Sequence, residues 1–199
     1  MAATRAAFDR LDVVVANAGF GVVGPVERLT LADYRRQFET NVFGVLRTIH
    51  ASVGDLKTSR GRFVIVGSVA GHVAAPGSSP YAMSKFAVRA LAEALGHELA
   101  PAGVAVTLVT PGYVASEIRR VDNTGVLRVE VRDPIPAWLL VPADRAARTI
   151  VRAVARRRRE IVVTGHGKVA VFFQRHAPWL VAAGIRAFGI RSRAEPAQR

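Results

Sequence analysis

Four short β-branched runs, separated by segments with helical spacing, constrain the fold of this chain more than any other feature. They are Val13-Val14-Val15, Phe63-Val64-Ile65-Val66, Val104-Ala105-Val106-Thr107-Leu108-Val109 and Ile161-Val162-Val163. Runs this short and this uniformly apolar suit strands buried on both faces. Between them, Ala32 to His50 sets Tyr34, Phe38, Val42, Val45, Leu46 and Ile49 at helical intervals, and Tyr81 to Ala100 does the same with Val88, Leu91, Ala92, Leu95 and Leu99. Pro101 and Gly103 stop the second segment, and Gly61 precedes a strand. Strand then alternates with helix over short connections, which favours right-handed crossovers and a parallel sheet of the α/β class. Met1 to Arg10 reads as the last part of a helix and Leu11 to Ala16 as the strand after it. A chain of 199 residues that is 50% apolar and has no cysteine suits one reduced α/β domain.

The chemistry gathers where this pattern predicts strand ends. Tyr81-Ala82-Met83-Ser84-Lys85 opens an apolar helix and Ser68 ends an apolar strand. Tyr81 and Lys85 are four residues apart, so on a helix they share a face. A free phenol has a pKa of about 10 and is a poor base at neutral pH, but a neighbouring ammonium stabilises the phenolate. Ser68 is then placed to hold an oxygen that gains charge as hydride arrives. The reaction this suits is carbonyl to alcohol or the reverse.

Ser68, Tyr81 thirteen positions later and Lys85 four beyond that resemble the active site of the short-chain dehydrogenase/reductase family. Other marks follow in order from Leu11 to Ser116. Ala16-Asn17-Ala18-Gly19 is similar to the family's Asn-Asn-Ala-Gly turn, Asn41 precedes Ser68 by 27 residues like the family's catalytic-site asparagine, and Pro111-Gly112-Tyr113-Val114-Ala115-Ser116 resembles its Pro-Gly loop beside the nicotinamide. Each mark is weak alone; their joint order and spacing is specific. The resemblance implies a Rossmann-like doubly wound parallel sheet and an NADP- or NAD-dependent oxidoreductase acting on a small-molecule carbonyl or alcohol. By resemblance, Tyr81 is the general acid/base, Lys85 lowers its pKa and binds the nicotinamide ribose, Ser68 orients the reacting oxygen and Asn41 supports a proton-relay water. Asn17, Gly19, Tyr81, Lys85, Pro111, Gly112, Val114 and Ser116 are the implied cofactor contacts. A homo-oligomer formed through the helices that carry Asn41 and Tyr81 is implied in the same way.

One departure stands against these matches. The family's glycine-rich loop, Thr-Gly-x-x-x-Gly-x-Gly after the first strand, has no counterpart here, so the N-terminal strands are expected to be missing and dinucleotide affinity to be weak. Gly19, Gly21 and Gly24 do not replace it, because Pro25 and the weak pattern beyond argue for a loop. The expected organisation is an incomplete Rossmann-like unit over 1–165, with 117–141 as its substrate-loop region, then a basic apolar tail over 166–199. The rival to catalysis is an inactive binding or oligomerisation module, or a gene start called too late.

In the 117–141 excursion, Trp138 and Leu139 are candidates for an apolar pocket or a packed lid. Charge is lopsided: residues 142–199 hold 13 basic and 3 acidic side chains, against 15 and 12 before them. Arg145, Arg148, Arg152 and Arg156 recur along one helical face, with Ala147, Ile150, Val151 and Val154 on another, which reads as a solvated amphipathic helix. Arg156-Arg157-Arg158-Arg159 lacks any recognition motif or aromatic interleaving, so nucleic acid is not an expected partner. The tail, with Phe172, Phe173, Trp179, Leu180 and Phe188 among its apolar residues, is too broken to span a bilayer. It suits docking on the domain or peripheral contact with a membrane. His50, His72, His97, His166 and His176 show no ligand spacing, so no metal site is expected. The absence of a signal-peptide pattern makes cytoplasmic location the default.

Overall fold

The computed structural model describes residues 1–187; the tail from Phe188 onward lies outside the described residues. A four-stranded parallel sheet is built from β1 (Val13–Ala16), β2 (Arg62–Val66), β3 (Ala105–Thr110) and β4 (Glu160–Val162), in that order across the sheet. The register sets Val14 beside Phe63, Phe63 beside Val106 and Val109 beside Ile161. The helices are α1 (Ala2–Phe8), α2 (Leu31–Phe38), α3 (Gly44–His50), α4 (Val53–Ser59), α5 (Ser79–Leu99), α6 (Ala143–Ala155), α7 (Gly165–His176) and α8 (Pro178–Ala187). All four strands fall where the β-branched runs place them.

The sheet is packed on both faces, as uniformly apolar strands require. On one face Phe63, Ile65, Val106 and Leu108 meet Val45 and Ile49 of α3, Leu56 of α4, and Val88 and Ala92 of α5. On the other, Val64 and Val109 meet Val154 and Ile150 of α6. Successive strand residues point to opposite faces, so a single run such as Phe63-Val64-Ile65 feeds both layers.

Three expectations need correction. The helix read over 32–50 is interrupted: a π-helical turn, Glu39–Phe43, separates α2 from α3. Such a turn fits one extra residue into the helix and re-aims a side chain. Here it carries Asn41, whose amide holds both the N–H and the C=O of Phe20. Second, α6 buries Ala146, Ala153 and Val154, while Ala147 and Val151 are exposed, so its inner face is rotated from the one read off the sequence. The sheet accepts the stripe containing Ala146, Ile150 and Ala153, positions three and four apart. Third, Trp138 is 83% exposed, so it is not packed against the domain as a lid anchor. The excursion is organised instead by charge: Arg119 grips Asp133 through both carboxylate oxygens, and Asp122 accepts from the backbone of Thr124 and Val126 and from Arg128.

β1 lies at the sheet edge. Val13 and Val15 are 44% and 52% exposed and join Val64, Ile150, Val151 and Val154 in lining an apolar groove of about 400 Å³. A histidine tie closes the opposite side, where Nε2 of buried His72 stands 3.0 Å from Oε1 of Glu160, whose Oε2 accepts from Arg175 at 2.9 Å.

Candidate active site

The carboxyl ends of β1, β2 and β3 deliver the chemistry-bearing residues to one rim of the sheet. β2 ends at Val66, and Ser68 follows as the N-cap of a short turn, Val69–Gly71, its hydroxyl accepting from Ala70 N–H at 3.1 Å. That turn lies hard against α5. A Cβ added at Gly71 would stand 2.7 Å from the carbonyl oxygen of Lys85, so only glycine permits the approach. α5 starts two residues before Tyr81, with Pro80 in its first turn, where a missing N–H costs nothing. Its register turns Tyr81 and Lys85 toward β2.

Ser68 stands close enough to Tyr81 that its side chain is among the groups pulling the phenol pKa down. Lys85 is 5% exposed. Its Nζ donates to the carbonyl of Val66 at 2.9 Å and stands 5.6 Å from the centroid of the Tyr81 ring. Burial pushes the lysine pKa down to about 8. The same burial raises the Tyr81 phenol above its ordinary range, against pulls downward from the Ser68 hydrogen bond and the charge of Arg119. Loss of water around Tyr81 therefore outweighs the groups that stabilise its phenolate.

Asn41 reaches the same place from the π turn. It is buried, and beyond Phe20 its Nδ2 donates to Ser84 Oγ on α5 at 3.1 Å. Gln37, also buried, accepts from Val22 N–H at 2.6 Å and donates to the Phe20 carbonyl at 2.9 Å. Two amides thus clamp the loop after β1 onto the helical layer. Gly19 sits in the angle: a Cβ there would lie 3.1 Å from Asn41 Oδ1 and 3.7 Å from Lys85 Nζ. Gly21 faces the Tyr81 ring, its added Cβ 3.5 Å from Cδ2.

Other expected contacts are less engaged. Asn17 is exposed at the end of β1 and makes no side-chain hydrogen bond among the described residues. Pro111, Gly112, Val114 and Ser116 follow β3 as a loop; Val114 bridges to Val141, its carbonyl accepts from Arg119 at 3.0 Å, and Ser116 is exposed. Gly112 is pressed by Thr164 and His166, which an added Cβ would approach to 2.3 and 2.5 Å. Arg119 and Gln37 went unread in the sequence, and His166 was read only as lacking metal-ligand spacing. Gln37 looks like any polar helix residue, Arg119 falls in a segment without periodicity, and His166 has no partner at motif spacing.

The family model for short chain dehydrogenase matches residues 1–126. The chain is 32% identical over 172 residues to dehydrogenase/reductase SDR family member 7B of Xenopus tropicalis, covering 85% of this chain and 55% of that protein. It is 41% identical over 108 residues to retinol dehydrogenase 8 of Bos taurus, covering 54% of this chain and 35% of that one. The chain thus spans about half the length, or less, of these curated relatives. Among solved structures, a short chain dehydrogenase/reductase from Burkholderia phymatum in complex with NAD superposes with a TM-score of 0.76 at 23% identity, over 100% of this chain and 74% of that chain. A short chain dehydrogenase from Burkholderia cenocepacia in complex with NADP gives 0.76 at 23%, over 92% and 72%. At that identity the superpositions speak for the shared sheet and helices alone. The family match covers well over half of the residues and includes the serine, tyrosine and lysine that the fold brings to one rim: the chain belongs to the short-chain dehydrogenase family.

Proposed function

We propose that this chain carries the proton-transfer half of an NAD(P)-dependent oxidoreductase interconverting a carbonyl and an alcohol. The observation that carries the reading is the meeting of Ser68, Tyr81 and Lys85 at the carboxyl end of β2. In the direction of reduction, the Tyr81 hydroxyl gives its proton to the substrate oxygen while Ser68 holds that oxygen by a hydrogen bond. In oxidation the Tyr81 phenolate takes the proton back. The Lys85 ammonium, anchored on Val66, stands 5.6 Å from the Tyr81 ring centroid, while the groups that pull the phenol pKa down are Ser68 and Arg119. Asn41 keeps the loop after β1 closed against α5, so the amine and the phenol share one enclosure.

A nicotinamide cofactor supplies the hydride in such chemistry. The residues fit its nicotinamide-ribose end: Gly19 leaves a hollow that a Cβ would fill, walled by Asn41 Oδ1 and Lys85 Nζ, and Lys85 presents further N–H donors to a ribose hydroxyl. Among the described residues nothing supplies a glycine-rich pyrophosphate loop. The test is reduction of a carbonyl panel with NADPH and with NADH by the protein and by Tyr81→Phe. The variant should lose about 10²- to 10⁴-fold in rate, the usual contribution of a positioned acid/base. An unchanged rate removes Tyr81 from the reaction.

Two observations favour additional roles. The apolar groove beside the unpaired edge of β1 supports an association module, with or without catalysis. The C-terminal hairpin exposes Val169, Phe172 and Phe173 along α7 and Trp179 and Leu180 on α8, with Lys168, Arg175 and Arg186 nearby. No helix of the described residues is long and apolar enough to cross a membrane, but such a surface suits peripheral contact with anionic lipid. Flotation with phosphatidylglycerol vesicles, lost in Phe172→Ser/Trp179→Ser, tests it.

A further inference from the structure

The loop from Pro111 to Ser116 is held by more than its own turn. β3 and β4 part after Thr110 and Val162, and one further bond joins them, from Val163 N–H to the Thr110 carbonyl at 3.0 Å. Beyond it the chains would separate. Instead the N–H of Tyr113 donates to Nε2 of His166 at 2.9 Å. The two rings stack, with centroids 5.3 Å apart and planes at 28°.

A second donor converges on the same nitrogen. Thr164 Oγ1 lies 3.1 Å from His166 Nε2 and already accepts the N–H of Gly167 at 3.2 Å, so its own proton is left for the imidazole. Two donors aimed at Nε2 require that nitrogen to be bare, which assigns the neutral ring with its proton on Nδ1. Burial lowers the His166 pKa, favouring the neutral ring. His166 also sits in the first turn of α7, where the positive end of the helix opposes an imidazolium. The fit leaves no slack, since Gly112 has no room for a Cβ against Thr164 and His166. On its far side the same loop pairs with Val141: Val141 N–H donates to the Tyr113 carbonyl at 3.0 Å and Ala115 N–H to the Val141 carbonyl at 2.9 Å.

We propose that His166 is a positioning residue, a neutral imidazole that accepts the Tyr113 amide and thereby fixes the Pro111–Ser116 loop where it contacts the cofactor. This rests on the reading of that loop as a nicotinamide wall. The latch joins the last strand to the reaction rim, so a residue 85 positions after Tyr81 sets the geometry of its site. The bond needs an acceptor, not a ring, and a glutamine side-chain oxygen can reach where phenylalanine cannot.

The experiment measures amide hydrogen exchange at Tyr113 in the protein without cofactor, with NADPH titrated separately, for wild type, His166→Phe and His166→Gln. His166→Phe should exchange at Tyr113 about tenfold faster or more, the worth of one lost hydrogen bond, and should bind NADPH more weakly. His166→Gln should recover most of both, which loss of ring packing alone would not allow. Unchanged Tyr113 exchange in His166→Phe overturns the latch itself. Faster exchange with NADPH affinity unaltered overturns the proposal through the reading it rests on, because the loop would then be latched but would not face cofactor.

Discussion

At the residue scale, the site is a contest between desolvation and charge. Burial alone leaves less of Tyr81 as phenolate than a free tyrosine has, and Ser68 and Arg119 recover part of that loss. Arg119→Gln should therefore shift the basic limb of the rate profile upward in pH, which a kcat/KM profile reads directly. The Lys85 amine, lowered to about 8 by burial, loses its charge above that pH, within reach of the same profile. Glu160 shows the opposite sign. His72 first and Arg175 after it hold its carboxyl down to about 2, from an ordinary value of 4.5. A depressed acid contributes stability that is complete above pH 4.5 and fades as pH falls toward 2. Glu160→Gln should accordingly unfold more readily at neutral pH, by about 1–2 kcal/mol for a partly exposed charged hydrogen bond, with the difference narrowing in acid. Urea unfolding at two pH values measures it. The placement of Ser68, Tyr81 and Lys85 at one rim was legible in the sequence because it follows from one helix and one strand end. Arg119 and Glu160 were not, since their partners arrive from other elements and leave no local pattern.

At the element scale, close approach places the candidate site groups. The turn after Ser68 touches α5 through Gly71, and Gly71→Ala would push its Cβ to 2.7 Å from the Lys85 carbonyl. That variant should lose about 1–3 kcal/mol in thermal or urea unfolding and slow catalysis by parting Ser68 from Tyr81. The π turn performs a similar task on the other side. Gln37→Leu leaves the buried Val22 N–H without its acceptor and takes one of the two amide donors from the Phe20 carbonyl, so about 1–3 kcal/mol should be lost on unfolding. β-branched runs announce strands because burial on both faces demands them, and all four were readable. The π turn was not: the apolar spacing continues across it, and its cause is a hydrogen bond to a loop about twenty residues earlier. The rotated face of α6 escaped for a related reason, because a helix with alanine and valine on several sides has no single apolar stripe until the sheet selects one.

At the scale of the whole molecule, one edge of the sheet is finished differently from the other. β4 is bound to the rest through the His72–Glu160–Arg175 tie, while among the described residues β1 leaves one backbone edge unpaired beside an apolar groove. Val13→Lys and Val15→Lys should reduce self-association in light scattering while leaving the melting temperature within a few degrees, since both side chains are largely exposed. The parallel order of the sheet was legible because a helix between successive strands carries the chain back to the same end of the sheet. The groove was not, because Val13 and Val15 read as buried strand residues whatever covers them. The central claim is that Ser68 and Tyr81 act on one oxygen, as a unit. Single-turnover reduction by Ser68→Ala, Tyr81→Phe and the double variant tests it most directly. The account predicts that the double variant is little slower than Tyr81→Phe alone, because groups serving one step lose their effect together. Losses that multiply across the two sites, or a Tyr81→Phe rate equal to wild type, would contradict it.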